Sequence, residues 1–447
     1  MKNYINRSLY PLLEKSLTEK YISILLGPRQ TGKTTLLKNL VENMKTQGVT
    51  EKDILFLNFD NPNFRTKILG QPDAFFQELE QNFGEKLSGL SSKKYLFLDE
   101  AQKLPEIFDL LKILFDTYPE KIKIFVSGSS SLHLIKRTSE TLVGRARLYY
   151  LAPFSWQEIL FSQIEQNPLS LIDSILDDSF SEEKYLRIQA PIFRQKESVH
   201  FSFNQYLLNG GLPEFFFITD EEKRVEALGN YLKIYLEQEI RFLPQIGDEN
   251  LFLQALQIFL LRDSQILNFS KLASEIGIQR LTLKKYQTIL EETFLLNSLY
   301  PYISQSKQAI KSPKTYFFDH GLINFSKKDF DLSDLWRLGN AGFILENITI
   351  NNTLRHFANN PRKNDLNFWR DYAGHEIDLI ISTQNNRVLP IEITSAKNCD
   401  RQKFNNFHAF YKLFPEANDG IILYQGEFKK IALGKKSIYA IPCWMWF

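Results

Sequence analysis

Cysteine is nearly absent from the chain: Cys399 and Cys443 are its only two, and they form no CxxC pair. A disulfide scaffold and a structural zinc site are therefore both unsupported, and a reducing cytoplasm fits. Net charge is also missing. Lys+Arg 54 against Asp+Glu 52 leaves +2, so no global field advertises nucleic acid, and any such contact must come from a local basic face. No run approaches the roughly 18 apolar residues that a membrane span needs. The opening stretch MKNYINRSLYPLLEKS breaks its apolar run with charge before a signal core can form, so neither secretion nor membrane insertion is expected. At the other end, CWMWF puts Cys443 fifth from the terminus, where a prenylation box needs it fourth. Those aromatics are expected to pack.

What is present is the composition of a globular protein: 43% hydrophobic and 24% charged residues over 447 positions. At about 150 residues per domain this allows roughly three domains. The 37 Phe and 19 Tyr bulk up cores without announcing a chemistry. From Tyr21 to Leu151, short apolar runs alternate with amphipathic stretches: YISILL, TTLLKNLVENMK, ILFLNF, YLFL, IKIFV, RLYYL. Runs without period-2 alternation suit strands covered on both faces, so the spacing predicts an α/β region with a mostly parallel sheet. Residues 153–245 read as helices carrying an acidic, turn-prone insertion, LIDSILDDSFSEEKY. Residues 246–320 give three helices with a short turn between the second and third, then two strands, a winged helix-turn-helix pattern. Residues 321–447 mix helix (GFILENITINNTLRHF) with strands (LNFWRDY, HEIDLIIS, VLPIEIT, GIILYQ), an α+β region. No internal repeat or low-complexity tract is visible.

The most specific signal is GPRQTGKTT, which satisfies GxxxxGK[ST] between an expected strand and an expected helix. Gly27, Pro28, Arg29, Gln30, Thr31 and Gly32 form a loop whose two glycines let backbone N–H groups face inward as an anion nest at the positive end of the helix. Lys33 adds a point charge for the β- and γ-phosphates of ATP, Thr34 offers a hydroxyl to Mg²⁺, and Thr35 packs or caps. YLFLDEAQ delivers Asp99 and Glu100 at a strand's carboxyl end, where open α/β sheets bind ligands. Asp99 would hold Mg²⁺ through water, and Glu100 would deprotonate the water that attacks the γ-phosphate. IKIFVSGSS ends in Ser127, Ser129 and Ser130, placed to sense that phosphate or that water. Arg145, after Gly144, is the candidate to neutralise charge on the transferred phosphoryl group, in cis or from a neighbouring subunit, with Arg147 as the alternative.

Together GPRQTGKTT, LDEAQ, VSGSSS, LVGRA with LAPFSWQEI, GGLPE at 210–214 and KSPKTYFFDHGL at 311–322 resemble a family of prokaryotic AAA-type ATPases. In that family a P-loop domain precedes a winged helix and a domain similar to restriction endonucleases. The resemblance implies a core over 1–152 in which the strand ending at Ser127 lies between those of the phosphate loop and of Asp99. It also implies helical linker, winged-helix and nuclease-like parts over 153–245, 246–320 and 321–447, and homo-oligomers. Glu346, Asp378 and Glu392 resemble the acidic set of PD-(D/E)xK nucleases, which hold Mg²⁺ beside a scissile phosphate. The pattern wants ExK, whereas Thr394 stands at the lysine position and Lys397 lies beyond the strand, which argues against cleavage. His375 beside Glu376 lacks the second histidine of HExxH. Arg280, Lys284 and Lys285 on the third helix of the 246–320 region suit DNA phosphates. The expected function is MgATP hydrolysis coupled to domain movement, with DNA as a partner. The alternatives are a nucleotide-gated binding protein with negligible turnover and an ATP-dependent nuclease.

Overall fold

The computed structural model describes the whole chain except residues 1–3, 72, 130–140, 165–167, 178–179, 236–245, 303–311 and 361–363. It divides into two units, Met1–Pro153 with Glu292–Phe294, and Phe154–Glu291 with Leu295–Phe447. Among the described residues no helix is long and apolar enough to cross a membrane.

The first unit is built on five parallel strands, β1 (Ile22–Gly27), β2 (Ile54–Asn58), β3 (Lys94–Asp99), β4 (Ile122–Ser129) and β5 (Ala146–Tyr150), in the order β2-β3-β4-β1-β5. β1 and β4 are buried at every position, which is why their sequences run apolar without alternation. Side chains of successive residues still go to opposite faces. Ile24, Leu96, Leu98 and Val126 join a core with helices Asp73–Phe83 and Ile107–Thr117 on one side. Leu25, Phe97 and Phe125 join helices Tyr10–Ser16 and Lys33–Thr46 on the other, where the rings of Phe97 and Phe125 stack with centroids 4.8 Å apart. Because β4 separates β1 from β3 and all run the same way, Gly27, Asp99 and Ser127 finish at one edge of the sheet, the carboxyl edge.

The second unit holds a mixed eight-stranded sheet. Its strands are β6 (Leu296–Pro301), β7 (Lys314–Phe317), β8 (Asp365–Arg370), β9 (Glu376–Ser382), β10 (Val388–Ile393), β11 (Gly420–Tyr424), β12 (Lys429–Leu433) and β13 (Lys436–Pro442), in the order β12-β13-β11-β10-β9-β8-β6-β7. The three expected helices are present at Glu249–Leu261, Phe269–Glu275 and Arg280–Glu292, followed by the antiparallel pair β6–β7. That pair does not stand apart: β6 also pairs with β8, so one sheet crosses the 320/321 division drawn from sequence. The hairpin β12–β13 went unread because Lys429 and Lys430 sit exposed on its edge strand, the charged dressing that edges carry. The terminal Met445, Trp446 and Phe447 are buried, as their aromatic character suggested.

GGLPE and FFDHGL meet inside this unit. Asp319 accepts from the Gly211 amide at 2.7 Å and the Gly321 amide at 3.0 Å. Arg355, from helix Ala341–Ala358, donates to the carbonyls of Phe154 at 2.8 Å and Phe318 at 2.6 Å and to the Tyr206 hydroxyl at 3.0 Å. These two segments are a buried fastening, not a reactive group.

Candidate functional site

The phosphate loop leaves β1 at Gly27, where a methyl group would overlap the Leu151 carbonyl. Only glycine lets the two backbones approach so closely. Gln30 and Gly32 take left-handed conformations, φ 60° and 91°, which curl the loop into the start of helix Lys33–Thr46. Gly32 is that helix's N-cap and carries no side-chain cap, so the first-turn amides present their partial positive charge to whatever lies before them. Thr31 fastens the loop by donating to the Pro28 carbonyl at 3.0 Å. Lys33 is buried, with its ammonium donating to the carbonyls of Gly27 at 2.9 Å and Pro28 at 2.8 Å.

Across the cleft, Asp99 is 1% exposed. Its Oδ2 accepts from the Thr34 hydroxyl at 2.8 Å, and its Oδ1 accepts from the Ser127 hydroxyl. Glu100 follows in a left-handed conformation, φ 57°, uncommon for a residue with a side chain and frequent at functional sites. Its Oε2 accepts from the Gln102 amide at 2.5 Å; the same amide donates to Ser129 Oγ at 2.9 Å, and Gln102 Oε1 accepts from the Ser129 N–H at 3.2 Å. Glu100 and Ser129 are thus held by one bridging amide. The structure brings together Gly27, Gly32, Lys33, Thr34, Asp99, Glu100, Ser127 and Ser129; Ser130 lies outside the described residues. A cradle that a side chain would fill, an uncapped helix start and a hydroxyl already on a buried carboxylate fit a magnesium–nucleotide.

Two residues of this site were missed. Gln102 stands in LDEAQ with nothing local to mark it. Arg7 is buried and donates to the Thr31 carbonyl at 2.7 Å and the Ala152 carbonyl at 2.5 Å, tying the loop to the chain beyond β5. Its partners are 24 and 145 residues away, beyond any sequence window.

Arg145 requires a correction. It immediately precedes β5, and its carbonyl accepts from Ile22 N at 2.9 Å, so it lies at the amino-terminal edge of the sheet. The length of β1, about 16 Å at roughly 3.3 Å per residue, separates it from the loop. Its guanidinium instead grips Asp116 at 2.6 and 2.9 Å on the surface. Arg147 pairs with Glu19 at 2.6 Å near the same edge. Neither acts at this chain's own phosphate loop.

In the second unit, Glu346 from helix Ala341–Ala358, Asp378 from β9 and Glu392 from β10 do converge, together with Glu376. Two unforeseen lysines stand among them. Lys314, from β7, lies 2.8 Å from Glu346 and 3.3 Å from Asp378 and also contacts Glu376. Lys403, from helix Arg401–Leu413, contacts Glu392, lies 3.6 Å from Asp378 and donates to the Ile393 carbonyl at 3.1 Å. Thr394 turns its hydroxyl to the Ala396 amide at 3.2 Å. Burial pushes the Glu346 carboxyl up to about 7, against the pull of Lys314. Burial and then Asp378 raise Glu392. Burial opposes the charge on Asp378, but Lys403 and Lys314 override it and hold that carboxyl low.

Residues 19–160 match the family model of an AAA domain, and residues 200–332 and 341–446 match two domains of unknown function, DUF8612 and DUF4143. An uncharacterized protein of Mycobacterium tuberculosis is 24% identical over 370 residues, 83% of this chain and 69% of that protein. Another, of Methanocaldococcus jannaschii, is 25% identical over 468 residues, covering 99% and 90% of the two chains. Among solved structures, AMPPCP-bound DnaA from Aquifex aeolicus overlaps 65% of this chain and 90% of its own at 13% identity and a TM-score of 0.26. C. elegans PCH-2 overlaps 39% and 48% at 18% identity and 0.24. Residues 19–160 are thus similar to AAA-type P-loop domains, a class that binds nucleotides.

Proposed function

We propose that the first unit binds ATP with Mg²⁺ and hydrolyses it. The observation that carries this reading is the Thr34–Asp99 hydrogen bond, 2.8 Å, lying beside a helix start whose amides have no side-chain cap. The loop amides from Gly27 to Gly32 would take the phosphates, and Lys33 would exchange its two loop carbonyls for phosphate oxygens. Thr34 and Asp99 would hold Mg²⁺, which when bound would neutralise charge on the phosphates. Ser127 keeps Asp99 oriented. Glu100, held by Gln102, would accept a proton from water, and Ser129 would sit beside the same water. Lys33→Ala should weaken binding of a fluorescent ATP analogue by about 10- to 100-fold, the worth of a charge-assisted hydrogen bond. Unchanged affinity would remove the site assignment.

We also propose duplex DNA as a partner of the second unit, through a winged helix-turn-helix formed by helices Phe269–Glu275 and Arg280–Glu292 and the β6–β7 pair. Lys271, Arg280, Lys284 and Lys285 are exposed on it, as are Leu281 and Thr288, while Leu283, Tyr286, Ile289 and Leu290 turn into the core. An exposed basic stripe on a second helix is suited to backbone phosphates. Binding in a gel-shift series should fall steeply as salt rises, with Arg280→Ala and Lys285→Ala each reducing the slope by about one. Binding that ignores salt or these changes would discard the partner. We place the protein in the cytoplasm and expect homo-oligomers, since an arginine for the transferred phosphoryl group would have to come from a neighbouring copy.

A further inference from the structure

The acidic set of the second unit invites a divalent cation, because Glu346, Asp378 and Glu392 resemble metal-holding nuclease carboxylates. The residues present do not fit one. Among the described residues no group of acidic, histidine or cysteine side chains is arranged to hold a metal ion. We propose that Lys314 is the resident cation of this site: its ammonium occupies the place of the metal, and the site takes no divalent ion while that ammonium is there.

Three observations carry the assignment. The first is convergence. One nitrogen sits 2.8 Å from Glu346 Oε1, 3.3 Å from Asp378 Oδ1 and against Glu376 Oε1, so carboxylates from a helix and a strand meet at one point. Hard divalent cations bind carboxylate oxygens at about 2.0–2.6 Å, and an ion satisfying Glu346 and Asp378 together would lie in the volume that Nζ fills. Two cations at that spacing exclude each other.

The second is that other donors fix these carboxylates in place around the ammonium. Asp378 Oδ2 accepts from the Ile393 amide at 2.9 Å, Glu392 Oε1 from Asn406 at 2.7 Å, and Glu346 Oε1 from the Tyr316 hydroxyl at 2.8 Å. Lys403 closes Glu392 from the far side.

The third is charge and burial. The four carboxylates Glu346, Glu376, Asp378 and Glu392 face three cations, Lys314, Lys403 and, 3.1 Å from Glu376, Arg370. A single retained proton balances the set, whereas a dication displacing that proton would leave one excess positive charge in a largely buried place. The Lys314 side chain is 3% exposed, and its contacts with Glu346, Glu376 and Asp378 hold the ammonium where it stands. Lys314 also belongs to KSPKTYFFDHGL, a motif that the ATPase reading leaves without a task.

The inference does not depend on ATP hydrolysis, and its test removes the phosphate loop from consideration. The full chain carrying Asp99→Asn, which removes the carboxylate assigned to the metal in the first unit, is titrated free of nucleotide with Mn²⁺, and bound ions are counted by electron paramagnetic resonance. With Lys314 intact, no equivalent of Mn²⁺ should be held by the acidic set. Adding Lys314→Met should create one binding equivalent, at least about tenfold tighter than anything in the parent, as expected when three carboxylates lose their internal counter-ion. A further Asp378→Asn should abolish it. If Lys314→Met does not fold in chelator, Mn²⁺ should restore its native tryptophan emission. The assignment falls if the parent itself holds one Mn²⁺ that Asp378→Asn removes. It falls equally if folded Lys314→Met gains no ion, or if the unfolded variant is not rescued.

Discussion

Replacing Glu100 with glutamine should halt phosphate release while leaving ATP bound. The two side chains have the same shape, and the Gln102 amide that now donates to Glu100 Oε2 at 2.5 Å retains an oxygen to bond. The left-handed backbone at this position is no harder for glutamine than for glutamate. What disappears is the basicity. General-base catalysis contributes about 10²–10⁴-fold in rate, so steady-state turnover should fall by that factor. Equilibrium affinity for ATP should stay within about threefold, because Lys33, Thr34 and the loop amides are untouched; that margin is under 1 kcal/mol. The comparison with Lys33→Ala separates the two halves of the reading: one variant binds as the parent does without turning over, the other binds far more weakly. If Glu100→Gln keeps turnover within tenfold of the parent, another group activates the water, and Glu100 serves only to place Gln102 and Ser129.

The phosphate loop was legible because each part of it is local. Nine consecutive residues carry the two glycines, the lysine and the threonine, and their flanking strand and helix follow from apolar runs. Asp99 was legible for a related reason: an acid at the carboxyl end of a parallel strand lies near every other such end, whatever the strand order. Arg145 shows the same rule misapplied. It stands before β5, and in a parallel sheet that puts it at the amino edge, beside Ile22 and away from Gly27. Its pairing with Asp116 needs a contact across 29 residues, which no motif signals. The acidic set of the second unit was legible as three carboxylates, since expected strands and a helix carried them. Its cations were not: Lys314 reaches Glu346 and Asp378 over 32 and 64 residues. Lys403 approaches from a helix, whereas the motif directs attention to the strand position held by Thr394.

Gly210→Ala should destabilise the second unit strongly. Gly210 has φ +79°, and a Cβ there would overlap Asp319 Oδ1 and stand 2.8 Å from the Gly321 amide. Neither neighbour is a free end that can swing aside. Asp319 is buried, its two oxygens hold the Gly211 and Gly321 amides, and moving it would strand two buried donors. Backbone strain of about 1–3 kcal/mol and overpacking of similar size should together cost about 3 kcal/mol or more. All five tryptophans, Trp156, Trp336, Trp369, Trp444 and Trp446, lie in this unit, so their emission reports its unfolding and is silent on the first unit. The urea midpoint read from tryptophan emission should drop sharply in Gly210→Ala. Gly277→Ala is the control, because Gly277 has a similar φ, +70°, but nothing within 4 Å of its added methyl; the left-handed backbone alone should cost it about 1–2 kcal/mol. ATP affinity should be unaltered in both variants, since every group assigned to the nucleotide belongs to the first unit. Equal midpoints for the two variants would mean that the Gly210–Asp319 contact adds nothing beyond backbone conformation, and that the GGLPE and FFDHGL segments owe their presence to something other than this fastening.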